Sequence, residues 1–226
     1  MKRLMLGLTL AAFATGALAA DNTLTRAEMK AGWALLFNGK TTEGWRAFKQ
    51  AEIGPGWRAE NGVLSPDPKV ARDIVTKGDY ASFELSFEWR ISKGGNSGVM
   101  FHVIPEGAAT YESGPEYQIL DNGRGEPPKE QAGGLFALVA PSMDMTRPVG
   151  QFNQARLIVN HGKVQHWLNG MEVARYEIGS PQFNALVAAS KFQRWPVFAT
   201  GATGGIALQN HGDEVGFRNI KIRVLK

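Results

Sequence analysis

From Ser82 to Ser92 hydrophobic and polar residues alternate without a break. Phe83, Leu85, Phe87, Trp89 and Ile91 fall on one side, and Glu84, Ser86, Glu88 and Arg90 on the other. A period of two is the mark of a half-buried β-strand. Similar patterns predict strands over residues 97–104, 134–140 and 216–225, and a meander over 155–160, 163–168 and 171–177. The meander turns at His161-Gly162 and Asn169-Gly170, and Asn61-Gly62 marks an earlier hairpin. Such dipeptides tolerate the positive φ of two-residue hairpin turns. Helical signal is scarce. Thr25-Arg26-Ala27-Glu28 is a capping box, and Gly32 ends the short helix that follows. A second short helix is expected over 184–192 with Asn184 as its cap. Residues 121–133 and 141–151 carry proline and glycine and read as long loops. No repeat, low-complexity tract or linker divides the chain after residue 20. The pattern therefore predicts an all-β domain over residues 21–226, a two-sheet antiparallel jelly-roll sandwich with one or two short helices. A closed barrel is the alternative.

The first 20 residues follow another rule. Lys2 and Arg3 precede an apolar run from Leu4 to Leu18, and Ala17-Leu18-Ala19 fits a small-residue cleavage site. This is a secretory signal, with the mature chain starting near Asp21. The expected location is secreted, or periplasmic in a Gram-negative source, with no membrane association after cleavage. The chain has no cysteine, so stability in an oxidising compartment rests on core burial alone. Its net charge is +4, and Lys2 and Arg3 supply two of those charges. With no lysine-arginine run, nucleic acid is not an expected partner.

Two expected strands carry unusual polar residues. In Pro115-Glu116-Tyr117-Gln118-Ile119-Leu120-Asp121, Glu116 and Gln118 share a face; in Ile206-Ala207-Leu208-Gln209-Asn210-His211, Gln209 and His211 do. A carboxylate, an imidazole and two amides suit a small polar ligand better than they suit a lysine-rich solvated surface. Gly94-Gly95-Asn96-Ser97-Gly98 lets the backbone approach a ligand and offers the Asn96 amide and the Ser97 hydroxyl to sugar hydroxyls. The segment matches neither a phosphate-binding loop nor a dinucleotide fingerprint. Indole faces stack on sugars, and Trp195, in an irregular segment with Lys191, is the best such candidate, whereas Trp89 belongs to an apolar strand face. Among the histidines, His161 reads as a solvated turn residue and His166 as a satisfied sheet residue. His102, His211 and a carboxylate are a candidate set for a divalent metal. There is no HExxH pairing, nucleophile-elbow serine or cysteine nucleophile.

The order of short motifs is also informative. Leu36-Phe37-Asn38-Gly39-Lys40 and Gly44-Trp45 come first, then Trp57-Arg58-Ala59-Glu60-Asn61-Gly62-Val63-Leu64 and Gly95-Asn96-Ser97-Gly98. Glu116-Tyr117-Gln118-Ile119-Leu120-Asp121-Asn122 and His166-Trp167-Leu168-Asn169-Gly170 follow. The series closes on Gly205-Ile206-Ala207-Leu208-Gln209-Asn210-His211-Gly212 and Phe217-Arg218-Asn219-Ile220. From about Gly32 to its end, the chain resembles the 3-keto-disaccharide hydrolase family. The resemblance implies a concanavalin A-like sandwich with its ligand on the concave sheet. One departure is Asn210, where the family usually has aspartate in its Gln-Asp-His-Gly motif.

The resemblance implies carbohydrate chemistry on a sugar already oxidised at C3, which an upstream sugar 3-dehydrogenase would supply. The ketone acidifies the C2 hydrogen, and the C1 substituent lies β to the ketone. Proton removal then leads through an enolate to loss of the C1 group, and water addition completes hydrolysis. Glu116 is the expected base or proton shuttle and His211 its acid or base partner, because imidazole exchanges protons near neutral pH. Arg90, Asn96, His102, Gln118, Lys191 and Gln209 are expected to orient the sugar or polarise its ketone, with Trp195 stacking on it. Two rival readings remain. One is a conventional glycosidase using Glu88 and Glu116 across the scissile bond. The other is a carbohydrate-binding module without catalysis.

Overall fold

The computed structural model of the chain describes residues 21–226, so the expected secretory signal falls outside the described residues. The alternating segments become antiparallel strands: β1 (Trp33–Leu35), β2 (Trp45–Ala47), β3 (Trp57–Glu60), β4 (Val63–Pro66), β5 (Ile74–Thr76), β6 (Phe83–Ile91), β7 (Asn96–Val103), β8 (Glu116–Leu120), β9 (Asn153–Asn160), β10 (Lys163–Leu168), β11 (Met171–Glu177), β12 (Gly205–Leu208) and β13 (Val215–Val224). They form two sheets rather than a closed barrel, a jelly-roll sandwich. One sheet runs β11-β10-β9-β6-β13-β4-β3, with β1 also on β13; the other runs β2-β5-β12-β7-β8.

The core follows directly from the sequence pattern. Phe83, Leu85, Phe87, Trp89 and Ile91 are all buried, and they share one hydrophobic core with Val99, Phe101, Tyr117, Ile119 and Leu208 of the smaller sheet. The polar side of β6 faces outward and is charge-paired. Glu84 bridges Arg156 and Arg223, and Glu88 meets Arg218 at 2.8 Å. The three hairpins turn where expected. Asn61, His161 and Asn169 have φ of 51°, 48° and 47°, each followed by a glycine at positive φ. That pair of left-handed residues is the type I′ turn, whose twist matches the flanking strands.

Helix α1 (Arg26–Lys30) carries the full capping box of Thr25 and Glu28. Helix α2 (Pro181–Ala188) starts earlier than expected. Its cap is Ser180, whose Oγ accepts from Phe183 N at 3.1 Å, with Pro181 in the first turn. A preset proline φ after serine makes a better start than Asn184. A separate 3₁₀ turn, Lys191–Arg194, follows. Residues 134–140 form no strand. Ala137 has φ 59°, and the segment folds back so that Leu135 bridges both Tyr117 and Val139. Phe136 N donates to Glu116 O, which lays this turn along the free edge of β8. No helix among the described residues is long and apolar enough to cross a membrane.

Candidate active site

Register across the smaller sheet places the polar residues. Glu116 pairs with Met100, Met100 with Ala207, and Ala207 with Val75. The apolar members of that row, Met100, Ala207 and Val75, cluster on the face turned away from the main core. Two residues further along each strand, Gln118 pairs with Gly98, and Gln209 N donates to Gly98 O at 3.0 Å. Alternation puts Gln118, Gly98, Gln209 and Asp73 on this same outer face. Gly98 leaves a gap in the row, and Glu116 lies in it. A methyl group on Gly98 would overlap Glu116 Oε1 and stand 2.7 Å from its Cδ.

Over this floor stands a pocket of about 400 Å³. Glu116, Gln118, Gln209, Asn96, His211, Lys191 and Trp195 all line it, so seven of the expected site residues meet in one place. The wall comes from the 3₁₀ turn and its neighbours. Phe192 stacks on Phe198 with centroids 4.1 Å apart, which fixes the turn to the body. Trp195 meets Tyr111 edge-on at 5.5 Å, and the Arg194 guanidinium lies 5.2 Å from the Trp195 ring. Lys191 Nζ stands 4.2 Å from the centre of Phe136.

The polar atoms are poised for a ligand. Gln118 Nε2 donates to Glu130 O at 3.1 Å and to Asn96 Oδ1 at 3.3 Å. The side-chain amide oxygens of Gln118 and Gln209 are buried and have no protein donor. Such atoms are costly to leave unpaired, and sugar hydroxyls are suitable donors. The Glu116 carboxyl accepts no hydrogen bond from the described residues. Burial pushes it up to about 8, with the charge of Asp73 adding to the shift and Lys191 opposing it. A basic carboxylate beside an ammonium and an imidazole can remove a weakly acidic C–H proton and stabilise the anion formed.

Three expected ligand contacts lie elsewhere. Ser97 is buried on the opposite face of β7 from Gly98, and its Oγ donates to Gln209 O at 2.9 Å. Arg90 is on the outer face of the larger sheet, 5.1 Å from the Phe152 ring and beside Gly216. Its place among the polar positions of β6 dictates this, since that face points away from the smaller sheet. His102 leaves the face of Gly98 and Met100 because its φ of 52° forms a bulge, and the register with β12 shifts there. Its ring packs against Phe83 and Phe101, and Nε2 reaches the carbonyl of Ala81 at 2.8 Å. The metal set of His102, His211 and a carboxylate is therefore not assembled. Among the described residues no three His, Cys, Asp or Glu side chains cluster as metal ligands. Glu88 belongs to the other sheet and pairs with Arg218, so it cannot act opposite Glu116. His166 is a satisfied sheet residue as expected, with its nitrogens on Gly133 O and Tyr176 Oη, both at 3.0 Å.

Other residues escaped the sequence reading. Arg194 could have been found, because positions three apart eclipse in a 3₁₀ turn and it follows Lys191 by three. Tyr111, Phe136 and Asp73 carry no local signal. Asn210 points away from the pocket. Its Nδ2 donates to Ala71 O at 2.9 Å and Pro68 O at 3.2 Å, so an amide there clamps a neighbouring loop.

Comparison with known proteins agrees with this fold. The 3-keto-alpha-glucoside-1,2-lyase-like domain matches residues 32–223. A 3-keto-disaccharide hydrolase from Bacteroides thetaiotaomicron is 31% identical over 229 residues, covering 86% of this chain and 79% of that protein. The crystal structure of a candidate glycosyl hydrolase from Parabacteroides distasonis is 32% identical with a TM-score of 0.84, over 92% of this chain and 100% of that one. A second such protein from the same organism is 26% identical with a TM-score of 0.69, over 85% and 99%. The chain belongs to the family of 3-keto-alpha-glucoside-1,2-lyase-like domains.

Proposed function

We propose that this protein cleaves 3-keto-glycosides by proton abstraction at C2. The observation that carries the reading is Glu116: a buried carboxyl, free of protein hydrogen bonds, in a pocket walled by Trp195 and Tyr111 and floored by unpaired amide oxygens. Its carboxylate takes the C2 proton and the C–H electron pair becomes the enolate. Lys191 and the amide of Asn96 are the donors available to the enolate oxygen. The enolate collapses to an enone, expelling the C1 oxygen, which His211 protonates. Addition of water at C1, with reprotonation at C2, gives net hydrolysis; release of the enone beforehand is the lyase outcome. A base near pKa 8 suits this task, because a weakly acidic carbon needs a stronger base than an ordinary carboxylate. The substrate requires prior oxidation of a sugar C3 hydroxyl, so a sugar 3-dehydrogenase activity must precede this step. The basic start and apolar run of residues 1–20 support a mature protein outside the cytoplasm.

The test is turnover of a 3-keto-glycoside in heavy water. Deuterium should appear at C2 of the product, with rate rising through about pH 8 as Glu116 ionises. Glu116→Gln should lower kcat by roughly 10²–10⁴-fold. Cleavage without deuterium, or a Gln variant at wild-type rate, would overturn the mechanism. Cleavage of unoxidised glycosides at a comparable rate would overturn the substrate class.

A further inference from the structure

Asp73 lies just ahead of β5 and does not line the pocket, yet two segments of the site converge on it. Its Oδ1 accepts from Asn210 N at 3.0 Å, and its Oδ2 accepts from Thr110 Oγ1. Asn210 in turn holds the loop ahead of Asp73 through the carbonyls of Pro68 and Ala71, and its Oδ1 accepts from Gly212 N at 3.2 Å. Asn210 is the residue between Gln209 and His211, both of which line the pocket. Strand β12 ends at Leu208, so sheet pairing does not fix His211; the tie from Asp73 to Asn210 does. Thr110 belongs to the turn that carries Tyr111 of the pocket wall.

We propose that Asp73 is a positioning residue of this site: it anchors the stretch that presents Gln209 and His211, and it fixes a negative charge behind Glu116. The inference rests on the keto-glycoside reading for its effect on turnover, but not for its effect on Glu116. Of the two carboxyls, Asp73 accepts two hydrogen bonds and Glu116 none. Burial raises both carboxyls, but the bonds from Thr110 and Asn210 oppose the rise at Asp73, so Glu116 is the one that keeps its proton to higher pH. The other charged or titratable side chains near Glu116 are Lys191 and Arg194 on the 3₁₀ turn and His211 beyond β12. Lys191 acts against Asp73, drawing the Glu116 carboxyl down where Asp73 raises it.

The experiment follows the Glu116 carboxyl by ¹³C NMR in the free full-length protein, assigned by its absence in Glu116→Gln, alongside kcat and KM on a 3-keto-glycoside. In Asp73→Asn the Glu116 midpoint should move to lower pH, and in Lys191→Met to higher pH. In Asp73→Asn kcat should fall by about 10–10², with the ascending limb of its pH profile moving the same way as the NMR midpoint. A merely structural role would lower stability and leave the midpoint in place. A folded Asp73→Asn protein with an unmoved Glu116 midpoint overturns the proposal. Absence of keto-glycoside turnover by the wild type would refute the functional reading, and the NMR comparison would still decide the role of Asp73. Should Asp73→Asn not fold, Thr110→Val removes one anchor and keeps the charge. It should displace the His211 imidazole resonances and lower kcat; no change in either overturns the proposal.

Discussion

Gly98 illustrates how an absent side chain can define a site. It is not at positive φ, so the backbone does not demand glycine there. What demands it is Glu116, whose Cγ would stand 2.8 Å from an added methyl group. Read from the sequence, the Gly94–Gly98 segment offers backbone access to a ligand; in the structure Gly98 offers room to the candidate base. Gly98→Ala should therefore act on Glu116 from below. Turnover should fall by about 10² or more, as expected when a base is displaced from its proton. Overpacking should cost no more than ~1–3 kcal/mol of stability. Adding Gly98→Ala to Glu116→Gln should slow the enzyme no further, since both remove the same interaction. Steady-state rates of the two single variants and the double variant, with urea unfolding of each, check this. Additive rate losses would mean that Gly98 serves something other than Glu116.

At the scale of elements, the sequence was legible where one side of a strand is dry and the other wet. Strand β6 alternates, and its fold is as read. Glycine after asparagine or histidine located three hairpins for the same local reason. Legibility stopped where a distant segment covers the second face. Every residue of β8 and β12 is buried, although Glu116 and Gln118 of β8, with Gln209 just past β12, line the pocket. The cover comes from residues 134–139 and the 191–195 turn, and nothing local to β8 announces it. His102 failed for another reason, since one left-handed residue reverses the alternation on which its placement relied. The covering turn itself can be tested. Phe192 holds it through Phe198 and packs with Leu135, Leu138 and Phe183. Phe192→Ala should cost roughly 3–5 kcal/mol if the whole fold senses the cavity. It should also raise KM more than it lowers kcat, because Lys191 and Trp195 lose their support while Glu116 keeps its place on β8. Hydrogen exchange over residues 189–198 should rise in step. An unchanged KM with rapid exchange in that segment would show that the wall does not hold substrate.

For the molecule as a whole, His166 and Glu116 set opposing pH limits on stability. His166 is fully buried, and burial draws it from 6.5 down to about 4. The unfolded chain binds its proton first as pH falls, so stability drops across that window. Glu116 is the reverse. Its folded value, about 8, exceeds the ordinary 4.5, so the folded state holds a proton that the unfolded state has released. Stability is therefore lost as pH rises from about 4.5 to about 8. Replacing Glu116 with glutamine removes the second dependence, together with the charge coupling between Glu116 and Asp73. The difference in Tm between Glu116→Gln and wild type cancels the contribution of His166, which both retain. It should be close to zero at pH 4.5, widen in favour of the variant as pH rises, and level off above about 8. Water entering the pocket limits the plateau to a few kcal/mol, and each kcal/mol corresponds to roughly 2–4 °C for a chain of this size. With no disulfide to share the load, such a gain would be large relative to the total. It would also identify what the fold gives up for its chemistry: an unpaired carboxyl is kept out of water where glutamine would be more stable. A gap that stays constant across this range, or a wild type more stable than the variant at pH 9, would mean that Glu116 ionises without strain and lacks the basicity on which C2 proton abstraction depends.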